Sequence, residues 1–473
     1  MKRTIVLLCC CICFSLAFTA PIFVQAHVFR AVRAEVDVAW HGFPAREDTA
    51  RMAVPHLFVK KQIEGEQADV KDGQVCVTGE KTRAKPAAGS DEKPAKVFIL
   101  DPETLLKVKR RVAAGDLELK PAFDDLIKDA DKALKVGPFT ITDKKDTPPS
   151  GDVHDYTSLA PYWWPDPSKP DGLPYIRRDG QVNPERNKFH DRSIQRDMCE
   201  AVTNLALAYY LSGNEAYAEH AVELLRVFFL DEKTKMNPNL NYSQAIKGQN
   251  TGRGSGIVET AAWIHMIDAF GMLKSSRAWT EQIEQGLRAW FGAFLDWLLT
   301  SENGKDESQS DNNHGTQYDT QVCAYALFLG KSELARQVME QAKAKRIAKQ
   351  IEPDGRQPSE LARTSSWGYS MINLRNLEYM ASLASKVGVD LWNYETPDGR
   401  GIRRVLQWHV HFAIGEKKWG YKDIREFEPE SMFTSLRRAA IAYKEPQYEK
   451  WAEALPGIKP TDRVNLLYPK PKF

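Results

Sequence analysis

The sequence predicts an all-α protein built as an incomplete (α/α) toroid of antiparallel helix hairpins, and three observations lead to this class. Apolar residues recur at three- and four-residue spacing in segment after segment from Pro102 onward. Short joints, such as those at 212–214 and 330–331, separate neighbouring segments and force antiparallel helix pairs. No fixed period of about 34 or 40 residues repeats along the chain, so unequal hairpins fit better than a regular solenoid.

Ten segments carry the helical pattern, and each closes at a Gly, Pro or Asn signal. They are 118–136, 190–212, 214–230, 256–274, 279–300, 318–329, 331–349, 366–387, 399–413 and 431–443. Two long stretches, 137–187 and 231–255, break the pattern. Loops of this length inside a compact domain are usually functional. We therefore expect both stretches to contribute to a site.

The composition limits the kind of partner. The 473 residues contain 65 Lys and Arg against 63 Asp and Glu, a formal net charge of +2, and 42% are hydrophobic. This balance argues against extensive disorder, which requires low hydrophobicity and high net charge. The chain also lacks a Lys/Arg block, so nucleic acid is not expected as a partner. The oligomeric state stays open.

The N-terminus has the pattern of a secretory signal peptide. Lys2 and Arg3 precede an apolar run over 5–18, and the run is followed by Val-Gln-Ala at 24–26. We predict a signal peptide over 1–26 and hence a periplasmic or secreted protein. The apolar run is short for a membrane span, and no later run approaches the ~18 apolar residues that a transmembrane helix needs. No membrane insertion is predicted.

The rest of the chain divides into three parts. Residues 27–96 form an N-terminal extension and linker of unknown role, in which 70–78 has the pattern of a strand pair. The helical toroid is predicted over 97–445, and 446–473 is separated as a C-terminal tail.

The cysteines and histidines indicate neither a disulfide framework nor a metal site. Of the cysteines after the predicted signal, Cys76, Cys199 and Cys323, the last two lie in apolar helical stretches where buried thiols are expected. His409 and His411 are two residues apart on a predicted helix and point to different faces. We predict no metal and no cofactor.

Two polar segments contain candidate catalytic residues. The segment 310–319 concentrates amides around Asn313 and His314, and such groups are costly to bury without partners. A helix N-cap would explain Asp311 or Asn312 but not His314. The second segment is 358–369, which contains Arg363 and Tyr369.

Arg363 and Tyr369 lie in a loop that leads into a predicted helix. They are six residues apart, so they can meet only if the loop folds back or if the helix starts after Arg363. By itself such a pair is weak evidence, because Arg and Tyr are common neighbours.

The stretch 137–187 also contains an aromatic run. Tyr162, Trp163 and Trp164 stand between prolines and form a rigid apolar surface suited to the faces of sugar rings. The alternative is a proline-braced loop packed into the core.

Three further residues are candidates for substrate contact. Arg253, in a Gly-rich turn, could bind an anionic substrate or be a surface residue without a role. His154 and Tyr318 could contact substrate or form internal hydrogen bonds.

Over roughly residues 97–445 the chain resembles the alginate-lyase-like polysaccharide lyases, whose domains are incomplete α/α toroids. The motifs that carry the resemblance are His154-Asp155-Tyr156 with Tyr162-Trp163-Trp164-Pro165, Asn312-Asn313-His314-Gly315-Thr316, and Glu360-Leu361-Ala362-Arg363 with Tyr369. The resemblance implies that Asn313, His314, Arg363 and Tyr369 form the active site. In the best-known alginate lyases the Arg-to-Tyr spacing is one residue longer and His follows the Tyr, where this chain has Ser370.

The chemistry of a uronate lyase explains these residue types. Removing the C5 proton requires neutralising the adjacent carboxylate, a task suited to Asn313 and His314 as preorganised donors. Tyr369 would then act as base and acid, provided that Arg363 lowers its pKa from the usual value of about 10. If the two groups leave from opposite faces of the ring, His314 becomes the base and Tyr369 the acid.

We therefore predict a polysaccharide lyase that cleaves a uronic-acid polysaccharide, alginate or glucuronan, by β-elimination. One alternative is an α/α-toroid glycoside hydrolase, which needs two carboxylates across a cleft; Asp311, Asp319, Glu259 and Glu360 are candidates. Another is a non-catalytic glycan-binding protein.

Overall fold

The computed structural model describes residues 93–473. The α-helices of this part are α1 (Pro102–Ala113), α2 (Lys120–Ala133), α3 (Asp191–Ser212), α4 (Glu215–Phe229), α5 (Trp263–Leu273), α6 (Glu281–Thr300), α7 (Glu302–Ser308), α8 (Asn313–Phe328), α9 (Ser332–Ala342), α10 (Pro358–Leu361), α11 (Ser366–Ser385), α12 (Ile402–Ala413), α13 (Phe433–Tyr443), α14 (Pro446–Ala454) and α15 (Val464–Leu467). The strands are β1 (Thr157–Leu159), β2 (Trp163–Trp164), β3 (Ile176–Arg177) and β4 (Tyr242–Ala245).

The helices form an incomplete toroid, as predicted. An inner series runs α3, α5, α8, α11 and α13, and each of these helices packs against the next. Outer helices pack against them: α4 against α3, α9 against α8, and α14 against α13. The C-terminal helix α15 contacts α1 and α2, so the end of the chain returns to the start of the series.

Inner helices are buried on almost every side, because they pack against both their neighbours and their outer partners. Every residue of α8 except His314 is buried. Outer helices such as α1 and α9 instead bury a single apolar stripe. The exception at His314 places that side chain at the open end of an otherwise buried helix.

A cluster of aromatic rings fastens α4, α5 and α6 together. The ring centroids of Phe229 and Trp290 are 4.6 Å apart, those of Trp263 and Trp290 are 5.6 Å apart, and those of Trp290 and Phe294 are 5.3 Å apart. Edge-on aromatic pairs of this kind contribute about 0.5–1.5 kcal/mol each beyond their burial.

The two long interruptions of the helical pattern come together through short strands. β1 pairs with β4 in parallel, which joins the stretch 137–187 to the stretch 231–255. β2 pairs with β3 in antiparallel register, with Trp163 opposite Arg177 and Trp164 opposite Ile176. The aromatic run is therefore part of a small ribbon.

Three helix boundaries differ from prediction. The segment expected at 256–274 opens with a 3-10 helix, Gly254–Thr260, because a Cβ at Gly256 would lie 1.9 Å from the Ser243 hydroxyl and the turn is packed tightly. The helix expected at 318 begins at Asn313, since buried polar side chains hide its first turns from a hydrophobic count. The segment expected at 331–349 changes from α to π geometry over Lys343–Ala348.

The C-terminal segment 446–473 is packed on the toroid rather than separate from it. It forms α14 and α15, and the carbonyl of Tyr468 accepts a hydrogen bond from Arg437 at 3.1 Å. Arg463 donates to Asn204 at 2.8 Å and to Asp129 at 3.2 Å. These bonds tie the segment to α2, α3 and α13.

Several sequence predictions fall outside the described residues: the signal peptide over 1–26, the strand pair at 70–78 and Cys76. Within residues 93–473, Cys199 and Cys323 are buried free thiols, as expected. Over the same range no helix is long and apolar enough to cross a membrane.

Arg346 fastens the π-helical segment to the turn before α8. Its guanidinium donates to Asp319 at 2.7 Å and to the carbonyls of Ser310 and Ser308, each at 2.8 Å, and it is only 1% exposed. We expect Arg346→Met to lower the free energy of unfolding by about 3–5 kcal/mol, because it leaves the Asp319 carboxylate buried without its partner. Denaturant unfolding followed by circular dichroism measures this loss.

The matched control is Arg336→Met on α9. This arginine is half exposed, and its nearest carboxylate, on Glu333, is 3.8 Å away. The control should change the free energy of unfolding by less than about 0.5 kcal/mol. Equal effects of the two substitutions would contradict a special role for the Arg346 network.

Candidate active site

The candidate site forms where α8 and α11 begin. Asn312 caps α8, and its side-chain oxygen accepts a hydrogen bond from the backbone N–H of His314 at 3.0 Å. This is the N-cap that the sequence suggested for Asp311 or Asn312. The cap fixes the first turn, so Asn313 points into the protein while His314 remains partly exposed.

Asn313 is held from both sides by one carboxylate. Its backbone N–H donates to Glu360 Oε1 at 2.6 Å, and its side-chain Nδ2 donates to Glu360 Oε2 at 2.7 Å. Glu360 is 1% exposed. Burial raises the pKa of the Glu360 carboxyl, and the two hydrogen bonds from Asn313 oppose that rise. The turn before α8 is thereby locked to α10.

His314 also has a carboxylate partner. Its Nδ1 lies 2.6 Å from Glu307 Oε1, and the Glu307 side chain is 1% exposed whereas that of His314 is 22% exposed. A carboxylate accepts hydrogen bonds and does not donate them, so this contact assigns the proton to Nδ1. The remaining ring nitrogen, Nε2, then carries the lone pair.

Arg363 is held by Asp179 from the stretch 137–187. Its Nη2 donates to Asp179 Oδ1 at 2.8 Å, and the backbone N–H and hydroxyl of Thr364 donate to the same carboxylate at 3.2 and 2.9 Å. Burial alone would raise the pKa of Asp179, but the hydrogen bonds and charge of Arg363 hold it well below its usual range. The pair is therefore ionised.

Arg363 and Tyr369 meet because α11 begins only at Ser366. The guanidinium carbon lies 3.7 Å from the centroid of the Tyr369 ring. The Tyr369 hydroxyl lies 2.6 Å from the hydroxyl of Tyr162. The aromatic run and the catalytic candidates are thus in direct contact, with Tyr162 beside the predicted acid and base.

Arg363 lowers the pKa of Tyr369, as expected, but it does not bring the pKa below the usual value. Burial raises the pKa of Tyr369, the Tyr162 phenol raises it further, and the positive charge of Arg363 offsets only part of this. The guanidinium stacks on the ring and is hydrogen-bonded to Asp179, so its stabilisation of a phenolate is only partial. Tyr369 is therefore a protonated phenol, suited in this state to give a proton.

Glu360 links the two halves of the site. Its carboxylate interacts with the charge of Arg363 in addition to its bonds with Asn313. Asn313, Arg363 and Tyr369 are thus connected through Glu360 and through the stacking of Arg363 on Tyr369. The closest contacts join Asn313 to Glu360, His314 to Glu307, and Arg363 to Tyr369.

The tryptophans of the aromatic run are partly buried. Trp163 packs against Ala160, Tyr175 and Ile246 in a small apolar cluster. The indole N–H of Trp164 donates to the carbonyl of Gln181 at 2.9 Å. Both rings are therefore braced, and each keeps part of its surface exposed.

Arg253 lies beside this run. Its guanidinium is 5.9 Å from the Trp163 ring, and its Nη2 donates to Gln244 Oε1 at 2.7 Å. Burial lowers the pKa of Arg253, and the negative charge of Glu307 opposes that change. Arg253 is thus near the carboxylate that orients His314.

His154 and Tyr318 have internal hydrogen bonds. His154 Nδ1 lies 2.6 Å from the carbonyl of Lys235. Tyr318 is 6% exposed, and its hydroxyl donates to the carbonyl of Leu298 at 2.8 Å. For Tyr318 this corrects the expectation of substrate contact, because the hydroxyl is occupied inside the core.

The four carboxylates considered for a hydrolase are each bound elsewhere. Asp319 pairs with Arg346, and Glu360 holds Asn313. Glu259 accepts hydrogen bonds from Tyr156 at 2.8 Å and from Ser158 at 2.6 Å, and Asp311 lies 2.7 Å from Lys349. The retaining and inverting geometries need a facing carboxylate pair, and these contacts do not provide one.

Sequence reasoning missed Glu307 and Asp179 as partners of the candidate residues. Glu307 precedes His314 by seven positions and Asp179 precedes Arg363 by 184. Glu307 lies between a predicted helix and His314, and this position was only weak evidence that the two side chains meet. Asp179 followed two arginines in a loop and carried no signal of its own.

Comparison with known proteins places the fold in an enzyme class. A sequence model described as alginate lyase matches residues 140–419. The crystal structure of an alginate lyase from Bacteroides ovatus is 44% identical, covers 79% of this chain and 99% of its own, and has a TM-score of 0.76. Among curated protein sequences there is no match.

More distant structures share the fold. Alginate lyase A1-III from Sphingomonas species A1 is 17% identical, with a TM-score of 0.51 over 79% of this chain and 98% of its own. A variant of alginate lyase A1-III complexed with a tetrasaccharide is also 17% identical, with a TM-score of 0.52 over 80% and 98%. The helical toroid and these matches define a polysaccharide lyase. More narrowly, the chain belongs to the alginate lyase family.

Gly315 allows the turn at His314 to close. A Cβ at this position would lie 2.0 Å from the carbonyl oxygen of Ser310 and 2.3 Å from Arg346 Nη1. We expect Gly315→Ala to lower the free energy of unfolding by about 1–3 kcal/mol, because backbone must move to admit the methyl group. Catalytic activity should fall as well, since the backbone shift at Gly315 would displace His314.

Gly368 provides the matched control at the start of α11. A Cβ there meets nothing within 4 Å. Gly368→Ala should leave activity intact and stabilise the protein by up to about 1 kcal/mol, the helix preference of Ala over Gly. Thermal unfolding and initial rates of both variants test the pair. A harmless Gly315→Ala would contradict the close packing described here.

Proposed function

We propose that this lyase cleaves a uronic-acid polysaccharide, alginate or glucuronan, by β-elimination. The observation that carries the proposal is the joint placement of the His314–Glu307 pair and the Arg363–Tyr369 stack around Asn313. The complex of the distant relative A1-III with a tetrasaccharide supports an oligosaccharide or polysaccharide as the ligand. An anionic polymer is then the partner of the candidate site.

Charge neutralisation is the first requirement. The C5 proton of a uronate becomes acidic only when the adjacent carboxylate is held by donors that stabilise the extra charge. The Nδ2 amide of Asn313 uses one hydrogen on Glu360 and has a second for the substrate. Arg363 is held in place beside Tyr369 by Asp179, whose carboxylate balances its charge.

The proton transfers follow from the resting states of the side chains. His314 Nε2, left basic by the Nδ1 contact with Glu307, takes the C5 proton. Tyr369, protonated at rest, gives its proton to the O4 leaving group. The C5–H and C4–O4 bonds break and a C4–C5 double bond forms, so one proton enters His314 and one leaves Tyr369. Tyr369 acting as both acid and base is the alternative.

The aromatic ribbon supplies subsites. Tyr162, Trp163 and Trp164 provide ring faces for sugars, and Arg253 provides a cation for a neighbouring uronate. The Nδ1 atom of His154 is bound to a backbone carbonyl, so Nε2 is the atom that would contact a substrate hydroxyl. Export through the predicted signal peptide would bring such an enzyme to its polymer.

The reaction type is tested on purified protein with alginate, glucuronan and a neutral glucan. We expect an ultraviolet-absorbing unsaturated product from one of the two uronate polymers and none from the glucan. Tyr369→Phe should reduce the rate by about 10²–10⁴-fold, the range for a lost acid or base. Tyr162→Phe removes the neighbouring phenol but leaves Tyr369, so it should reduce the rate by less than Tyr369→Phe does. Full activity of Tyr369→Phe would refute the assignment.

The role of Glu307 is tested by Glu307→Gln. The amide keeps the size of the side chain but can donate to Nδ1, which releases the imidazole from a single tautomer. We expect kcat to fall by about 10²-fold with little change in KM, and the pH dependence of kcat to shift. A shift in the pH–rate profile distinguishes a changed tautomer of His314 from a folding defect. An unchanged profile with wild-type kcat would remove Glu307 from the mechanism.

A further inference from the structure

A cavity lies within the toroid, away from the candidate active site. It has a volume of about 430 Å³ and is bordered by the inner helices α3, α5, α11 and α13 and by the C-terminal segment 457–468. Arg375, which lines it, follows Tyr369 by six positions on α11, about 9 Å further along the helix axis. None of the proposed catalytic or substrate-binding residues contributes to its wall.

Arg375 is a buried cation without an acceptor. It is 8% exposed and lines the cavity, and no hydrogen bond among residues 93–473 uses its guanidinium. The nearby carboxylate of Glu378 accepts hydrogen bonds at Oε2 from Ser435 at 3.0 Å and Arg438 at 3.3 Å, and its charge acts on Arg375 without a hydrogen bond between the two. A guanidinium has five N–H donors and keeps its charge, so leaving it unsatisfied is costly. An anion in the cavity would remove that cost.

His265 extends the donor surface next to Arg375. Its ring packs edge-on against Tyr379, with centroids 5.0 Å apart, and both residues line the cavity. Burial, followed by the charges of Arg438 and Arg375, lowers the pKa of His265 to about 3. The imidazole is therefore neutral near pH 7 and can donate one hydrogen bond without adding a further charge.

The mouth of the cavity has the opposite character. The exposed side chains of Glu200, Glu428 and Glu430 line it. Carboxylates at the mouth repel a polyanion but accept hydrogen bonds from hydroxyl groups. The wall between mouth and interior includes apolar side chains such as Leu207 and Phe433. The lining thus favours a small ligand with one anionic end and a hydroxylated body.

We infer that this cavity binds a small sugar acid, of one or two rings, with its carboxylate on Arg375. Arg is the side chain best shaped for bidentate carboxylate binding. His265 lies beside the carboxylate, and the hydroxyl groups face the acidic mouth. The volume is at the small end of the range for ligand sites, which excludes a polymer. The inference goes beyond the proposed reaction and requires no turnover.

The test is isothermal titration calorimetry on the full chain with sodium glucuronate as the probe and glucose as its uncharged counterpart. We expect saturable binding of glucuronate and none of glucose. Arg375→Met should weaken glucuronate binding about tenfold or more, the loss expected for a charged hydrogen-bonded pair. Arg363→Met in the catalytic site and the surface control Arg336→Met should bind as the wild type does.

A second variant distinguishes loss of the binding site from misfolding. Thr434→Phe fills the cavity from α13 without touching Arg375 and should also abolish binding. Arg375→Met should not lower the thermal midpoint of the free protein, because it removes an unsatisfied charge. The inference is overturned if the wild type does not bind glucuronate, if glucose binds equally, or if Arg363→Met loses binding while Thr434→Phe keeps it.

Polymer cleavage by the same variants separates the two proposals. Arg375→Met should cleave the uronate polymer at the wild-type rate, since Arg375 is outside the catalytic residues. If the wild type binds glucuronate but cleaves neither uronate polymer, the proposed function fails and the cavity site stands. If cleavage occurs but Arg375→Met and Thr434→Phe bind glucuronate normally, the cavity site fails and the proposed function stands.

Discussion

The buried carboxylate of Glu360 is the constraint on which the candidate site depends. It receives both the backbone and the side-chain N–H of Asn313, and so fastens the first turn of α8 to the short helix before Arg363. Two helix starts that are far apart along the chain are thereby held at one place. A carboxylate buried to this degree is costly unless its oxygens are satisfied, and the two donors of Asn313 satisfy one oxygen each.

The placement of α8 and α11 also sets the electrostatic potential at the candidate site. α8 and α11 both begin at the site, so the positive ends of both helix dipoles point toward it. Each of the more reactive side chains has an acidic partner: Glu307 for His314 and Asp179 for Arg363. Orientation and charge are thus fixed before any ligand arrives, which is the condition for effective stabilisation of developing charge.

Much of the fold was predictable from the sequence, because amphipathic periodicity reports packing directly. The first turns of α8 were not, since its buried Thr, Gln and Asp side chains give no apolar stripe. The four catalytic candidates were found from residue type and motif. Their partners depend on contacts across 184 residues for Asp179 and 207 for Tyr162, and no local pattern encodes these. The pKa of Tyr369 was misjudged for the same reason, because burial and Tyr162 outweigh Arg363.

The contact between two phenols has a consequence for the recovery of the enzyme after each cycle. If Tyr369 gives up its proton, it must regain one while largely screened from bulk water. The Tyr162 hydroxyl, 2.6 Å away, is placed to pass a proton to Tyr369 while taking one from water. Tyr162 would then restore the acid, and substitutions at residue 162 would slow turnover even where they leave bond cleavage itself unchanged.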